Sequence, residues 1–291
     1  MAATSQAAAS PAPRAHRGVG TWIRRNPTVV AGIVILALFV AAAFLAPWLA
    51  GDPLAFEPTN RLKRPSEEYW FGTDRYGRDV YSRAVHGTRI SLVVGASVAA
   101  LATVLGLVVG VLCGYDRRID AVAMRVMDGM MAIPAILLAI ALITLMKASL
   151  TIVIVAIAIP EVPRVARLVR SVVLGVRAQP FIEAAIAAGT PGRRIMTRHI
   201  LPSTFAPLIV LATYVCASAI LIEAGLSFLG AGTPPEIPSW GNVIAEGRTF
   251  FQIAPWIIFF PGLLLAITVL AINLVGDGLR DTLDPRIARR M

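Results

Sequence analysis

Three carboxylates stand where a carboxylate is expensive. Asp128, Glu161 and Glu223 fall within or at the edges of long apolar runs, and an ionisable group at membrane depth marks a solute pathway or braces one helix against another. Arg125 precedes Asp128 by three residues, the spacing of a local ion pair on a helix, and Glu161 lies between Pro160 and Pro163 near the end of its run, where it can snorkel or satisfy backbone at a proline kink. Glu223 is the hardest to explain locally, although it too is placed to brace helices. Other chemistry is sparse. Cys113 and Cys216 both fall inside apolar runs with no CxxC or metal-ligand spacing, which points to no metal site. The only lysines, Lys63 and Lys147, end no GxxxxGK[ST] phosphate loop, so no ATP-binding site is expected on this chain. Met124, Met127, Met130 and Met131, three and four residues apart, read as helix packing rather than a soft-metal track.

The other chemistry-bearing stretch is EAAIAAGTPGRRIMTRHILP, Glu183 to Pro202, a polar interruption between two long apolar segments. A short amphipathic helix should begin after Pro180, set Ile182, Ile186 and Gly189 on one side, and stop at Gly189, which can take a positive φ. Thr190 is then placed to cap a second helix with Pro191 in its first turn. On that helix Ile195, His199 and Pro202 share one side and Arg194 and Arg198 another. The expected product is a helix-turn-helix elbow over about 179–202. The small side chains of Ala184 and Ala185 would let another backbone approach closely, and Glu183 offers a carboxylate to a basic group, so the elbow suits a groove on a second protein.

These features need long apolar elements to position them. The 291 residues are 57% hydrophobic and 15% charged, far from the roughly one-quarter charged composition of soluble domains. Apolar runs at about 28–50, 90–115, 121–147, 149–172, 203–229 and 254–276 each approach the ~20 residues that cross a bilayer, which predicts an all-α polytopic membrane protein with six transmembrane helices. The third run is less apolar between Met124 and Pro134 and the fourth is interrupted at IPEVPR, so a five-span reading stays open. The Ala41–Ala43 triplet resembles a signal cleavage site, but the first run is too long for a signal core and reads as a retained helix over 27–50. Residues 1–26 read as a disordered basic tail, 51–88 as a turn-rich loop with a small cap, 89–286 as a five-helix core containing the elbow, and 287–291 as a second tail.

The net charge of +10 invites a nucleic-acid reading until it is assigned to sides of the membrane. Most Arg, including Arg117, Arg118, Arg125 and the seven from Arg164 to Arg198, fall on the side of the termini and the elbow, whereas those of 61–89 are nearly neutralised by acids such as Asp74 and Asp79. The positive-inside rule then places both termini and the elbow in the cytoplasm and 51–88 outside. Nucleic-acid binding loses its support. Arg164, Arg167 and Arg170 recur every third residue and read as a solvated, lipid-facing basic side.

The spacing of E-A-A, Gly189 and I-L-P resembles the EAA loop of the membrane subunits of ATP-binding-cassette importers. FGTDRYGRDVYSRAVHGTRISL at 71–92, IEAGLSFLGAGTPPEIPSWG at 222–241 and PGLLLAITVLAINLVGDGLRDTLDPR at 261–286 extend the likeness to the C-type permease of the dipeptide, oligopeptide and nickel importers. That resemblance implies a type I ABC importer permease fold with no catalysis on this chain. It also implies alternating access driven by two ATPase subunits that carry ATP and Mg, and coupling through Glu183, Ala184, Ala185 and Gly189. The implied partners are a homologous B-type permease sharing the pathway, an extracytoplasmic substrate-binding protein and membrane lipid. His199 stands where many EAA loops have an apolar residue and is not a metal ligand on this reading. Two other classes compete: an ion-gradient-driven secondary transporter, for which no convincing repeat is seen, and a membrane scaffold that only anchors a partner.

Overall fold

In the computed structural model, residues 26–146 and 149–283 are described. The expected tail over 1–26, except its last residue, and the tail 287–291 lie outside them. The described chain is helical, with one isolated antiparallel bridge, Thr73 to Asp79. The long helices are α1 (Pro27–Leu49), α2 (Val80–Tyr115), α3 (Arg117–Met131), α4 (Ala135–Leu145) and α5 (Leu150–Arg177). The elbow supplies α6 (Pro180–Ala187) and α7 (Gly192–Ile195), and α8 (Leu201–Phe228), α9 (Trp240–Gly247) and α10 (Trp256–Leu283) complete the chain.

Among the described residues four runs are long and apolar enough to cross a membrane, α1, α2, Gly192–Phe228 and α10, or five if the bent pair α3 and α4 is one span. A straight third span over 121–147 is not formed: α3 and α4 meet at 91°. Asp116 ends α2 and starts α3, its carboxylate accepting from the amides of Arg118 at 2.7 Å and Ile119 at 3.4 Å. Pro134 then disfavours helix at Ile133 and restarts it as the wholly apolar α4. The 11 residues of α4 span about 16 Å, half a hydrocarbon core, whereas α3 buries none of its residues fully. The 28-residue α5 is about 42 Å long but carries Glu161, Arg164 and Arg167 in its middle. It runs on through Pro160 and Pro163.

The centre of the bundle is the seam between α2 and α5. Gly106, Gly110 and Gly114 recur every fourth residue, and a Cβ on any of them would collide with Val165, Val169 or Val173. The missing side chains let the two backbones close up around valines that are fully buried. The main core spreads from there to Ala139 and Ile143 of α4 and to Leu208, Val215 and Leu226 of α8. Helix α1 lies along α10, where Gly32 approaches the Ala271 carbonyl and Gly278 faces Val29.

At the end where α2 begins, the segment 51–79 folds into a cap, as its turn-rich composition suggests. Gly77 has a φ of 78°, and a Cβ there would overlap the Glu57 backbone, so only glycine closes that turn. The cap is pinned to the bundle by Trp256 Nε1, which donates to the Thr73 carbonyl at 3.2 Å, and by Phe71 stacked on Phe260 at 4.1 Å. Desolvation and the Glu57 carboxylate push the Tyr69 hydroxyl up to about 12, and that hydroxyl donates to Glu57 at 3.0 Å. Beneath the cap, Arg83 is fully buried between Asp74 and Glu246, at 2.8 Å from each through Nη1, and Arg78 bonds the same two acids.

Two changes test this packing. Gly110→Leu should force α2 from α5 and cost about 1–3 kcal/mol, lowering the unfolding midpoint in detergent. Arg83→Ala, by emptying a fully buried site and leaving Asp74 and Glu246 to Arg78 alone, should cost up to about 3–5 kcal/mol, and a Met in place of Arg83 should not recover it.

Candidate functional site

The elbow forms as two short helices around a glycine turn. Pro180 opens α6, and the helix ends in paired bonds: the Gly189 amide donates to the Ile186 carbonyl at 2.9 Å and the Thr190 amide to the Ala185 carbonyl at 3.0 Å. Gly189 has a φ of 76°, the left-handed residue such a terminus requires. Thr190 is used there through its backbone and does not cap the next helix; Pro191 occupies that position with no side-chain cap bond. Beyond α7 the chain widens into a π turn, Met196–Ile200. Pro202 has no amide to offer the Arg198 carbonyl, and the Leu201 amide reaches back to Met196 instead.

Three isoleucines anchor this elbow: Ile182, Ile195 and Ile200 are buried in the main core beside Val169 and Val173. Ile186, expected on the same side as Ile182, is instead 60% exposed, and α6 meets the core through Ile182 and Ala185. Glu183, Ala184, Ala187 and Gly189 are exposed with it, Ala185 is half-buried, and Phe181 is half exposed. A second fastening comes from Arg177, whose Nη1 donates to the carbonyls of Gly114 at 2.7 Å and Tyr115 at 2.9 Å. These are the last carbonyls of α2, where a cation is favoured. The Tyr115 hydroxyl in turn lies against Gly192. The elbow thus presents a small-residue, one-carboxylate face while its base is tied to both helices of the central seam.

The three deep carboxylates do not share partners. Asp128 bonds Arg167 of α5 at 2.7 Å, rather than the expected Arg125, and both side chains are more than half exposed, so the pair contributes about 1 kcal/mol or less. Glu161 is buried at 3% exposure and takes Arg164 at 3.1 Å. With Arg170 paired to Asp120, each of the three regularly spaced arginines has an acid partner, two of them on α3; Arg164 and Arg167 stay about half exposed and Arg170 is more covered. Glu223 is fully buried at the other end of α8. Its Oε1 accepts from the hydroxyls of Ser227 and Ser239 at 2.9 Å and Thr233 at 3.2 Å, and its Oε2 has no partner. Ser239 also caps α9 by accepting from the Asn242 amide at 3.1 Å, and Asn242 Nδ2 donates to the carbonyls of Thr233, Pro234 and Ile237. Glu223 therefore braces the 229–239 turn and α9 against α8.

Charge counting did not single out Asp120, Arg177 or the Asp74–Arg83–Glu246 cluster, all of which join distant segments. The short polar side chains of 227–242 were readable as a group, but their convergence on Glu223 was not. A cleft of about 760 Å³ runs along α8 just past the elbow, lined by Leu168, Pro202, Pro207, Tyr214, Arg280 and Leu283 among others. Among the described residues no group of three His, Cys, Asp or Glu is placed to hold a metal ion.

The geometry is matched by known proteins. A family model described as the binding-protein-dependent transport system inner membrane component covers residues 102–289, and one described as the N-terminal TM domain of oligopeptide transport permease C covers 22–65. The chain is 56% identical over 287 residues to a probable peptide ABC transporter permease of Sinorhizobium fredii, across 99% of this chain and 98% of the relative. It is 42% identical to a dipeptide transport system permease of Alkalihalophilus pseudofirmus, across 96% of this chain and 94% of the relative. Among solved structures it resembles the MetNI methionine ABC transporter in an inward-facing conformation, with a TM-score of 0.57 and 24% identity over 69% of this chain and 95% of that one. At that identity the likeness is one of fold. The chain belongs to the binding-protein-dependent transport system inner membrane component family and is a multi-pass permease subunit of an ABC importer.

Proposed function

We propose that this chain forms half of the pathway for dipeptides or short oligopeptides, paired with a homologous B-type permease and moved by two ATPase subunits that bind ATP and Mg. The peptide assignment is supported by the names of the relatives that match it over nearly the full chain. On this reading the subunit makes and breaks no covalent bond; an extracytoplasmic binding protein brings solute to the cap end, and the elbow faces the cytoplasm with both termini. The positive-inside bias supports that orientation.

The observation that carries the coupling role is the exposure of Glu183, Ala184 and Gly189 on an elbow whose base is fixed by Ile182, Ile195, Ile200 and Arg177. A surface that is exposed and apolar-to-small, yet rigidly tied to the long helices, suits the transmission of a partner's movement. Ala184 and Ala185 allow a groove wall to approach, Glu183 supplies a charge-assisted bond, and Gly189 sets the angle between the two short helices. Asp128 joins α3 to α5 through Arg167, Glu161 pairs with Arg164 within α5, and Glu223 holds the cap-side turn; each has a structural part in this account rather than that of a ligand for solute.

Glu183→Arg in the reconstituted complex should weaken retention of the ATPase subunits by about tenfold or more, the loss typical of one charge-assisted hydrogen bond. Gly189→Val should leave the ATPase subunits bound but lower the uptake obtained per ATP hydrolysed, because valine resists a φ of 76°. Normal assembly and normal uptake per ATP in both variants would remove the elbow from the coupling path. Glu223→Gln should retain uptake and Glu223→Ala should lose it together with stability, since only the amide can still accept from Ser227 and Ser239; strong loss of uptake in a stable Glu223→Gln protein would instead make the carboxylate a pathway group.

A further inference from the structure

One arginine of α5 is not explained by the bracing of helices. Arg167 and Arg170 reach across to acids of α3, but Arg164 takes its acid from its own helix, its Nη1 donating to the Glu161 carboxylate at 3.1 Å. That pair joins no two elements. Arg164 stands fourteen residues from one end of α5 and thirteen from the other, about 20 Å from each and so near mid-membrane, yet its side chain is 45% exposed. A half-exposed guanidinium is costly against hydrocarbon, and at that depth charged side chains face the bundle interior or a water-filled passage. Among the described residues the bond to Glu161 is the one hydrogen bond of this guanidinium, which leaves the rest of its donor fork open.

The space beside it is the cleft of about 760 Å³ along α8. Leu168, one turn from Arg164 on the same side of α5, lines that cleft together with Tyr214, and the Arg164 guanidinium lies 5.5 Å from the Tyr214 ring centroid. Tyr214 is itself 52% exposed. Twelve residues of α8 separate it from Pro202 beside the elbow, so the cation stands about 18 Å in from the mouth. Val210 forms part of the wall between, and Arg280 in the last turn of α10 adds a second cation near the mouth. A space of this size takes a small molecule. Mostly apolar walls with a guanidinium at the far end favour a ligand with an anionic group and read little else of it. In a peptide the terminal carboxylate is the group present whatever the sequence, and an arginine fork suits a carboxylate in two-bond geometry. A lipid phosphate, the competing anion, sits at the headgroup level, half a hydrocarbon thickness away from Arg164.

We propose that Arg164, oriented by Glu161 and Tyr214, receives the terminal carboxylate of the peptide as it crosses, and is the residue of this subunit that favours solutes with a free carboxyl group. The inference rests on the peptide-importer reading and deepens it by naming the group of the solute that is held and the side chain that holds it. Glu161 keeps its structural part, fixing the guanidinium from the buried side.

The test uses the whole importer with Cys113→Ala, Cys216→Ala and Val210→Cys, the last placing a single thiol on the cleft wall one turn from Tyr214. ATP-driven uptake of a dipeptide by this complex in proteoliposomes, with its binding protein, establishes the importer reading by itself. Labelling of position 210 by a thiol reagent is then followed in nucleotide-free complex in nanodiscs, against the concentration of added dipeptide and without binding protein. The dipeptide and its N-acetyl form should slow labelling, and its C-terminal amide should not. Arg164→Gln should raise the half-protecting dipeptide concentration about tenfold or more, and Arg164→Lys should restore most of the protection. Equal protection by the amide, or unaltered protection in assembled Arg164→Gln, would overturn the proposal. So would the absence of any protection in a complex that transports the dipeptide. Labelling that slows when anionic lipid replaces phosphatidylcholine, with no further effect of dipeptide, would assign the cation to a lipid phosphate instead. The comparison of acid with amide is made on unaltered Arg164, so it decides the matter even where Arg164→Gln does not assemble.

Discussion

The fold depends on the closeness of two long helices. Because Gly106, Gly110 and Gly114 have no side chains, α2 and α5 meet backbone against valine, and such contact gains dispersion energy in a lipid setting where burial from water cannot drive helices together. What makes this seam functional is that each end of α2 is tied to other segments through a guanidinium, one of its own and one from α5. Arg83 near its start sits between Asp74 of the cap and Glu246 of α9, and its last carbonyls are held by Arg177 at the foot of α5, three residues before the elbow begins. One helix of 36 residues therefore joins the two surfaces that the account assigns to partners.

The remaining ion pairs follow the same logic. Two of the four arginines on α5 hold α3 through Asp120 and Asp128, and α3 lies across the direction of α4. The pairs are partly exposed and weak individually, so they hold α3 in place without making it immovable. Glu223 is a different device: a fully buried carboxylate surrounded by hydroxyls resists rearrangement, which suits a brace near the cap more than a moving gate.

How much of this was legible in the sequence follows from the range of each interaction. The elbow was readable because Pro180, the Ala run and Gly189 act within one or two turns, and the positive φ of Gly189 is a local demand of the chain. The differences there are equally local in origin: a hydroxyl before a helix predicts a cap at Thr190, yet Pro191 stands at that position with no side-chain bond, and helical periodicity groups Ile186 with Ile182, yet the eight-residue α6 meets the core through Ile182 and Ala185. The weak hydropathy between Met124 and Pro134 was a real sign of the bend, but a hydropathy window cannot tell a poor span from an amphipathic helix lying across one. Partners 39, 50 and 163 residues apart, Arg167 with Asp128, Arg170 with Asp120 and Arg83 with Glu246, leave no periodic trace, so helical spacing points Asp128 to Arg125 and not to Arg167.

The central claim is that the elbow is the surface on which the ATPase docks. Its most direct measurement is cross-linking of the assembled importer through a cysteine placed at Ala184, beside a second protein carrying the cysteine at Thr59 in the cap. The account predicts a short-range cross-link from position 184 to an ATPase chain that changes in yield between the nucleotide-free and ATP-bound complex, and none from position 59. A cross-link from position 59 to the ATPase, or a position 184 that reacts freely with solvent reagents in the complete complex and never with the ATPase, would contradict it.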